Sequence, residues 1–462
     1  PITNIILARL LAPDAFGVVA TVSMVVSFAE MFTDAGFQKY LVQHEFTNDE
    51  EKYQYTNVAF WTNLGISLFL WGLIAVFSEP IATMVGNPGL GIVIVIACVQ
   101  LPLTSFSSIQ MALYRRDLDF KTLFFVRIVS VSIPFVVTVP LALLGFNYWA
   151  VIIGTICSQL TNAIILTVKS IWKPKLFYNI AILKDMLSFS VWSLIESISI
   201  WLTTWIDAFI IGSVLSSYYL GLYKTSTTVV NGVMSLITAA TAPVLFSALS
   251  RLQNNNEQFN RIFFNTQKIV SIFVFPLGVG VFLYSDLATQ ILLGSKWSEA
   301  SGVIGHWALT SAITIVLGHY CSEVYRAKGR PKLSFLAQVL HLVCLVPVCT
   351  ISSMYGFWML VFARSWIRMQ SVFVHFLIMK FAVGIPIIRM LRNVLPAAIS
   401  AILMGILGFF LQQLYEGMMI WSFISIVICA VFYFAVLFLF PNMRKEGLGM
   451  IRKVQIRRSF DN

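Results

Sequence analysis

The chain of 462 residues is 58% hydrophobic and only 11% charged, with a formal net charge of +11 and a mean hydropathy of +0.84. An average soluble domain is about 25% charged. This composition excludes a water-soluble fold and points to an all-α polytopic membrane protein.

About 20 apolar residues cross ~30 Å of hydrocarbon as a helix. The sequence predicts spans near 15–38, 56–78, 90–113, 123–144, 148–168, 186–212, 219–249, 263–285, 301–325, 333–354, 356–379, 394–413 and 418–440. Residues 1–11 read as the end of one more span. Because the chain opens on Pro1, the start of that first helix is expected to be missing, which makes about 14 spans. No cleavable signal peptide is expected. A transmembrane β-barrel would alternate in short strands, and uninterrupted apolar runs such as Leu90–Cys98 exclude it.

Lysine and arginine in the loops set the orientation of such a ladder. Alternate loops and the tail carry 24 of the 31 basic residues, the opposite loops carry only Lys296, and six lie in or at the ends of spans. Both termini are therefore expected on the cytoplasmic side. The net positive charge is a topology signal, and no nucleic-acid partner is implied, because such partners call for a basic patch on a soluble face. The six cysteines fall inside spans with no Cys-x-x-Cys, as buried apolar thiols do.

Two runs of residues recur. Leu11, Gly17, Thr21, Val25 and Val26 reappear as Leu215, Gly221, Thr225, Val229 and Val230, at an offset of 204. Tyr114-Arg115, Lys121, Phe124 and Gly145-Phe146 reappear at an offset of 211 as Tyr325-Arg326, Lys332, Phe335 and Gly356-Phe357. The common order points to a duplication of six spans, and an even number makes the two copies a parallel repeat. The expected organisation is a first lobe at 1–168 (spans 1–6), a linker at 169–184, a second lobe at 185–380 (spans 7–12), two extra helices at 381–440 and a basic cytoplasmic tail at 441–462. The linker combines lysines with Trp172, Phe177 and Tyr178, which suits a helix lying at the inner interface. Outer loops are short, so no soluble domain is expected on either face.

No Walker A sequence and no His-Glu-x-x-His is present, and the five histidines show no metal-ligand spacing. No cofactor or metal is implied, and no enzyme activity. His306 and His319 read as satisfied helix histidines. What stands out are ionisable residues inside spans, which are costly there and face the protein interior or a water-filled cavity by default. Glu30 and Asp34 share a helix face at i, i+4, and Glu196 and Asp207 are three turns apart on another. Lys224, Arg127, Lys268, Glu323, Arg364 and Arg368 complete the set. Ordinary readings stand beside functional ones. Arg127 and Lys268 can snorkel to headgroups, Glu323 can pair with Arg326, Asp207 with Lys224, and Arg364 and Arg368 with another helix. The functional reading makes Arg127, Lys224, Lys268, Arg364 and Arg368 a cationic cavity for an anionic substrate. Glu30, Asp34, Glu196, Asp207 and Glu323 then serve a coupling proton or sodium ion, or pair the cations.

The run Ala8-Arg9-Leu10-Leu11-Ala12-Pro13-Asp14-Ala15-Phe16-Gly17 resembles the opening of Wzx-like bacterial polysaccharide exporters of the PST family. So do Phe32-x-Asp34-x-Gly36, Leu41-Val42-Gln43, Arg115-Arg116-Asp117-Leu118-Asp119-Phe120-Lys121, Gly145-x-x-x-Trp149-Ala150, Asp207-x-x-x-x-Gly212, Leu220-Gly221-x-Tyr223 and Leu293-Gly294-x-x-Trp297. The resemblance covers nearly the whole chain and implies the MOP superfamily fold, with two six-helix lobes, two extra helices and a central cavity. It implies flipping of a polyprenyl-pyrophosphate-linked oligosaccharide across the bacterial inner membrane by alternating access, for O-antigen, capsule or exopolysaccharide assembly. Glycosyltransferases and a glycan polymerase are the implied pathway partners. Three rivals remain: an ion-coupled drug or metabolite antiporter with an acidic, aromatic pocket; a membrane glycosyltransferase or polymerase, for which Asp286 and Glu299 are poor candidates; and a scaffold for a glycan-assembly complex, which the buried charges disfavour.

Overall fold

The computed structural model describes residues 2–34, 36–414, 419–441 and 443–444; the side chains of residues 2, 4, 34, 39, 43, 188–193 and 196 lie outside the description. The basic tail therefore falls almost wholly outside it. Among the described residues there are twenty α-helices and no strand: α1 (Ile2–Leu10), α2 (Pro13–Asp34), α3 (Phe37–Gln43), α4 (Asp49–Val76), α5 (Ser78–Met84), α6 (Gly91–Ala97), α7 (Gln100–Arg116), α8 (Phe120–Leu143), α9 (Tyr148–Lys169), α10 (Ile180–Val214), α11 (Ser217–Arg251), α12 (Asn256–Leu283), α13 (Ser285–Leu292), α14 (Ala300–Thr314), α15 (Tyr320–Ala327), α16 (Pro331–Ser353), α17 (Phe357–Trp366), α18 (Arg368–Ile378), α19 (Ile387–Leu414) and α20 (Met419–Leu439). Thirteen stretches of helix are long and apolar enough to cross a membrane, at the places the sequence predicts.

Helices are the answer because hydrocarbon offers backbone groups no other partner. Where spans start on the basic side of the ladder, side chains satisfy the first free N–H groups. Asn48 accepts from Glu51 N, Asp119 from Thr122 N, Asn179 from Ala181 N and Asn255 from Gln258 N. The Asp119 carboxylate, bonded by the Thr122 side chain and backbone, is held below the usual carboxylate range.

The chain forms two compact units, Pro1–Thr225 with Cys349–Leu360, and Ser226–Val348 with Val361–Asn462. Small residues let helices approach in the first. A Cβ on Gly17 would stand 1.8 Å from Ser217 O, and one on Gly221 1.9 Å from Pro13 O. Its aromatic core joins Phe37, Phe60 and Trp172.

The offset of 211 reappears in backbone geometry. Leu118 and Gly329 both take positive φ (56° and 68°), as do Gly145 and Gly356 (87° and 97°). The hydrogen bonds repeat too: Asp119 N to Tyr114 O matches Arg330 N to Tyr325 O, both 2.9 Å, and Gly145 N to Ala142 O matches Gly356 N to Ser353 O. A leucine at a left-handed position is costly without such context.

One sequence expectation needs correction. Residues 170–179 of the linker are not helical. Pro174 forbids a helical N–H bond and pushes Lys173 extended. Side chains of α4 then take the strap's polar groups: Trp61 Nε1 donates to Lys175 O (2.8 Å), and Lys175 N donates to Asn57 Oδ1 (2.9 Å). Between α12 and α14, α13 and a 3-10 turn at Ser295–Trp297 order the connection, and Trp297 is completely buried.

Candidate functional site

In the first unit α2, α7, α9 and α10 enclose a chamber of about 560 Å³. Its character is set by hydroxyls: Ser27 and Thr33 from α2, Thr104, Ser107 and Ser108 from α7, Ser197 and Thr204 from α10. Two amides, Gln38 and Gln159, and two indoles, Trp201 and Trp205, join them, with Glu30 as the carboxylate. No lysine or arginine is among its described lining residues.

Helical spacing explains the arrangement. Thr104, Ser107, Ser108 and Met111 lie on one face of α7 at steps of three and four, as do Trp201 and Trp205 on α10. The indole of Trp201 is fixed twice, by donation from Nε1 to Ser27 Oγ (3.0 Å) and by an edge-on contact with Phe28, ring centres 4.9 Å apart. Behind α7 a buried polar ladder holds the lining in place: Asn63 Nδ2 donates to Ser108 Oγ (3.0 Å), and Ser67 and Ser105 share a bond of 2.6 Å. Ser27, Glu30 and Trp205 also line a smaller adjoining cavity of about 240 Å³ against Gln100 and Thr155.

The residues singled out in the sequence go to several places. Glu30 faces the chamber. The Lys224 ammonium sits 3.9 Å from the centre of the Trp205 ring and donates to Thr204 O (3.2 Å). Asp207, 2% exposed, accepts from Tyr223 Oη (2.7 Å) and Ala208 N (2.7 Å). Arg127 lines a different cavity of the same unit, beside Arg115, Ser130 and Asn162. In the second unit Arg364 and Arg368 stack on one ring, Trp307, at 5.1 and 4.4 Å, and Arg368 Nη1 donates to Ser311 Oγ (2.7 Å). Glu323 pairs with Arg326 at 2.5 Å, the ordinary reading of that residue. Lys268 is half-buried on α12. Asp34 and Glu196 belong to α2 and α10, and their side chains lie outside the described residues.

Of the charged residues singled out in the sequence, Glu30 lines this chamber and Lys224 rests on one of its tryptophan rings; the hydroxyls, the amides and both tryptophans were not singled out. The signal was available: an i, i+4 tryptophan pair in one span, and hydroxyls at helical spacing in another.

At the basic-side end of the same unit, Asp185 Oδ2 accepts from Tyr40 Oη (2.7 Å) and Tyr55 Oη (3.0 Å). Those bonds, Tyr40's first, hold the Asp185 carboxyl below its usual range. Burial and then the bond to Asp185 push the Tyr40 hydroxyl up. Among the described residues no group of His, Cys, Asp and Glu is arranged to hold a metal ion.

Residues 6–302 match the family model described as polysaccharide biosynthesis protein. The chain is 26% identical over 312 residues to the succinoglycan biosynthesis transport protein ExoT of Rhizobium meliloti (strain 1021), a match covering 68% of this chain and 62% of that relative's length. It is 21% identical over 352 residues to the lipopolysaccharide biosynthesis protein WzxC of Escherichia coli (strain K12), covering 75% of this chain and 70% of WzxC. Among solved structures, the lipid II flippase MurJ in an inward closed conformation superposes with a TM-score of 0.79 at 16% identity, over 95% of this chain and 96% of MurJ. An inward-facing multidrug resistance MATE transporter of the MOP superfamily gives 0.68 at 13% identity, over 83% and 93%. At such identities the superpositions speak for the fold, which is that of the MOP superfamily. The family model spans well over half of the sequence, and this multi-pass membrane protein belongs to the polysaccharide biosynthesis protein family.

Proposed function

We propose that the protein is a flippase that carries a lipid-linked oligosaccharide across the bacterial cytoplasmic membrane by alternating access, for assembly of a surface or secreted polysaccharide. The observation that carries this reading is the chamber itself. Seven hydroxyls, two amides and two indole faces inside an apolar bundle suit a saccharide, whose hydroxyls need donors and acceptors and whose C–H faces stack on aromatic rings. Its volume of about 560 Å³ lies within the range of ligand pockets, about 300–1,000 Å³. Lys224, held on the Trp205 ring, is the cation we assign to the phosphate of the carrier lipid. The names of ExoT and WzxC, a transport protein and a lipopolysaccharide biosynthesis protein, support the same pathway class.

In this reading the protein moves its substrate without changing it. The carboxylates and remaining cations serve coupling or pairing, and both termini are cytoplasmic, as the loop charges favour. A second reading, export of organic cations, draws on Glu30 standing with Trp201 and Trp205 in one chamber. One experiment separates them. In proteoliposomes, a fluorescent polyprenyl-pyrophosphate-linked disaccharide should become accessible to an added quencher faster with the protein than without it. Transport of a cationic dye with no effect on that lipid would decide for the antiporter.

A further inference from the structure

One membrane-spanning stretch of the first unit, Gly91–Arg116, is broken along its length. Its first piece, α6, ends at Ala97, and α7 begins at Gln100. Val99 N turns to Ile96 O (3.2 Å) and Leu101 N to Cys98 O (3.0 Å), so neither makes the four-residue bond of a regular helix. Val95 O and Ala97 O are thereby released, and side chains take them. Trp71 Nε1 donates to the first (3.0 Å) and Gln100 Nε2 to the second (3.0 Å). Irregular backbone at membrane depth is tolerated where it is buried in protein or lines a cavity. This break lines one: Ala97 and Gln100 both border the side cavity of about 240 Å³ that adjoins the chamber.

That side cavity has two kinds of wall. Val22, Val26, Ala97 and Ile152 make an aliphatic one, each at most 5% exposed. The other wall is polar, and its groups offer mainly acceptors. With Nε2 on Ala97 O, the carbonyl oxygen is the end of the Gln100 amide left to a ligand. Thr155 donates its proton to Val151 O (2.9 Å). Ser27 donates to Met24 O (3.0 Å) and accepts from Trp201 Nε1. A hydroxyl has one proton, so both present only oxygen lone pairs. Ser23, also on the lining, carries a hydroxyl that can donate. Ser27, Glu30 and Trp205 border the side cavity and the chamber alike, so a group in the first can belong to a molecule seated in the second.

We propose that the side cavity is a subsite for the acetamido group of an N-acetylated amino sugar. Gln100 Oε1 accepts its N–H, Ser23 donates to its carbonyl, and its methyl packs on Val22, Val26 and Ile152. The inference rests on the saccharide reading of the chamber and names the kind of saccharide. A ring hydroxyl in the same place would find the acceptors and leave the aliphatic wall uncovered. An acetamido group fills both walls. The helix break is what makes the recognition possible, because the freed Ala97 carbonyl fixes which end of the Gln100 amide faces a ligand.

Proteoliposomes holding the full chain test this with three fluorescent polyprenyl-pyrophosphate-linked disaccharides that carry, on both rings, 2-acetamido, 2-hydroxy or 2-amino groups. The acetamido lipid should reach half-saturation at an amount at least about tenfold lower than the 2-hydroxy lipid, as one well-packed carbon does in an apolar pocket. A97L, which fills the space, and Q100L, which removes the acceptor, should each bring that ratio toward one. Equal handling of the acetamido and 2-hydroxy lipids by the wild type would overturn the subsite and leave saccharide transport standing. So would an unchanged ratio in both variants. A preference for the 2-amino lipid would assign the cavity to a cation beside Glu30 and overturn the acetamido assignment. If none of the three lipids moves, the subsite falls together with the transport reading.

Discussion

Gly17 of α2 and Gly221 of α11 stand in reciprocal positions: a methyl on the first would meet Ser217 O at 1.8 Å, and one on the second would meet Pro13 O at 1.9 Å. The four residues are two pairs at the repeat offset of 204, so the start of one copy crosses the start of the other on matched small residues. Backbone oxygens cannot rotate aside as a side-chain end can. Overpacking typically costs about 1–3 kcal/mol, and G17A and G221A should sit at the top of that range. Gly72 of α4 has nothing within 4 Å of its absent Cβ. There the swap to alanine should stabilise by up to ~1 kcal/mol through helix propensity. Thermal unfolding in detergent would check all three, and equal melting temperatures for G17A and G72A would contradict the crossing.

Asp185 ties α10 to α3 and α4 through two tyrosine hydroxyls, and those bonds depress its pKa in the folded protein. A depressed carboxylate stabilises the fold at pH values above its unfolded pKa, about 3.9, and that contribution is lost as pH falls through the lower folded value. D185N should therefore melt below the wild type at pH 7, and the two curves should converge on acidification below about pH 4. A gap that is constant with pH would mean that the bonds do not depend on the carboxylate's charge.

Trp201 and Trp205 present two ring faces to the chamber. Aromatic stacking contributes about 0.5–1.5 kcal/mol beyond area, and 1.4 kcal/mol is about tenfold in affinity. W201A and W205A should each weaken binding of a lipid-linked saccharide roughly threefold to tenfold, with W201F retaining more than W201A. Export in a strain lacking the native gene, with the variant's membrane level checked, is the cellular measure. Lys224 rests on the Trp205 ring, so W205A should also imitate part of the loss in K224M. Full export by W201A/W205A would remove the saccharide assignment from this chamber.

The spans and the repeat were legible because each is written over many residues: apolar runs of bilayer length, and Gly17 matched by Gly221. The linker was misread because its composition suits an interfacial helix, while a single residue, Pro174, and the side chains of Asn57 and Trp61 decide its extended path. The chamber was missed for a related reason. Serine and threonine inside spans ordinarily bond back to their own helix, as Thr203 Oγ1 does to Ser199 O. Only packing selects those that line a space. Intramembrane charge drew notice to Arg364 and Arg368, but their common partner Trp307 is far away in sequence.

Arg364 and Arg368 are four residues apart in like charge, which on a helix is repulsive, yet both guanidinium groups lie on the Trp307 ring. The indole is anchored by its own donation from Nε1 to Asn231 Oδ1 (3.0 Å). A desolvated cation–π contact contributes about 2 kcal/mol. W307L removes two such contacts and leaves the charges facing each other, so it should destabilise by about 2–4 kcal/mol. The second expectation is sharper. In the wild type, R368M should cost stability, because Arg368 holds Ser311 and the ring. In the W307L background the same change should cost at least ~1 kcal/mol less, since it then mainly relieves repulsion. A double-mutant cycle by denaturant unfolding in mixed micelles measures that difference. Additive single effects would show that Trp307 does not mediate between the two arginines.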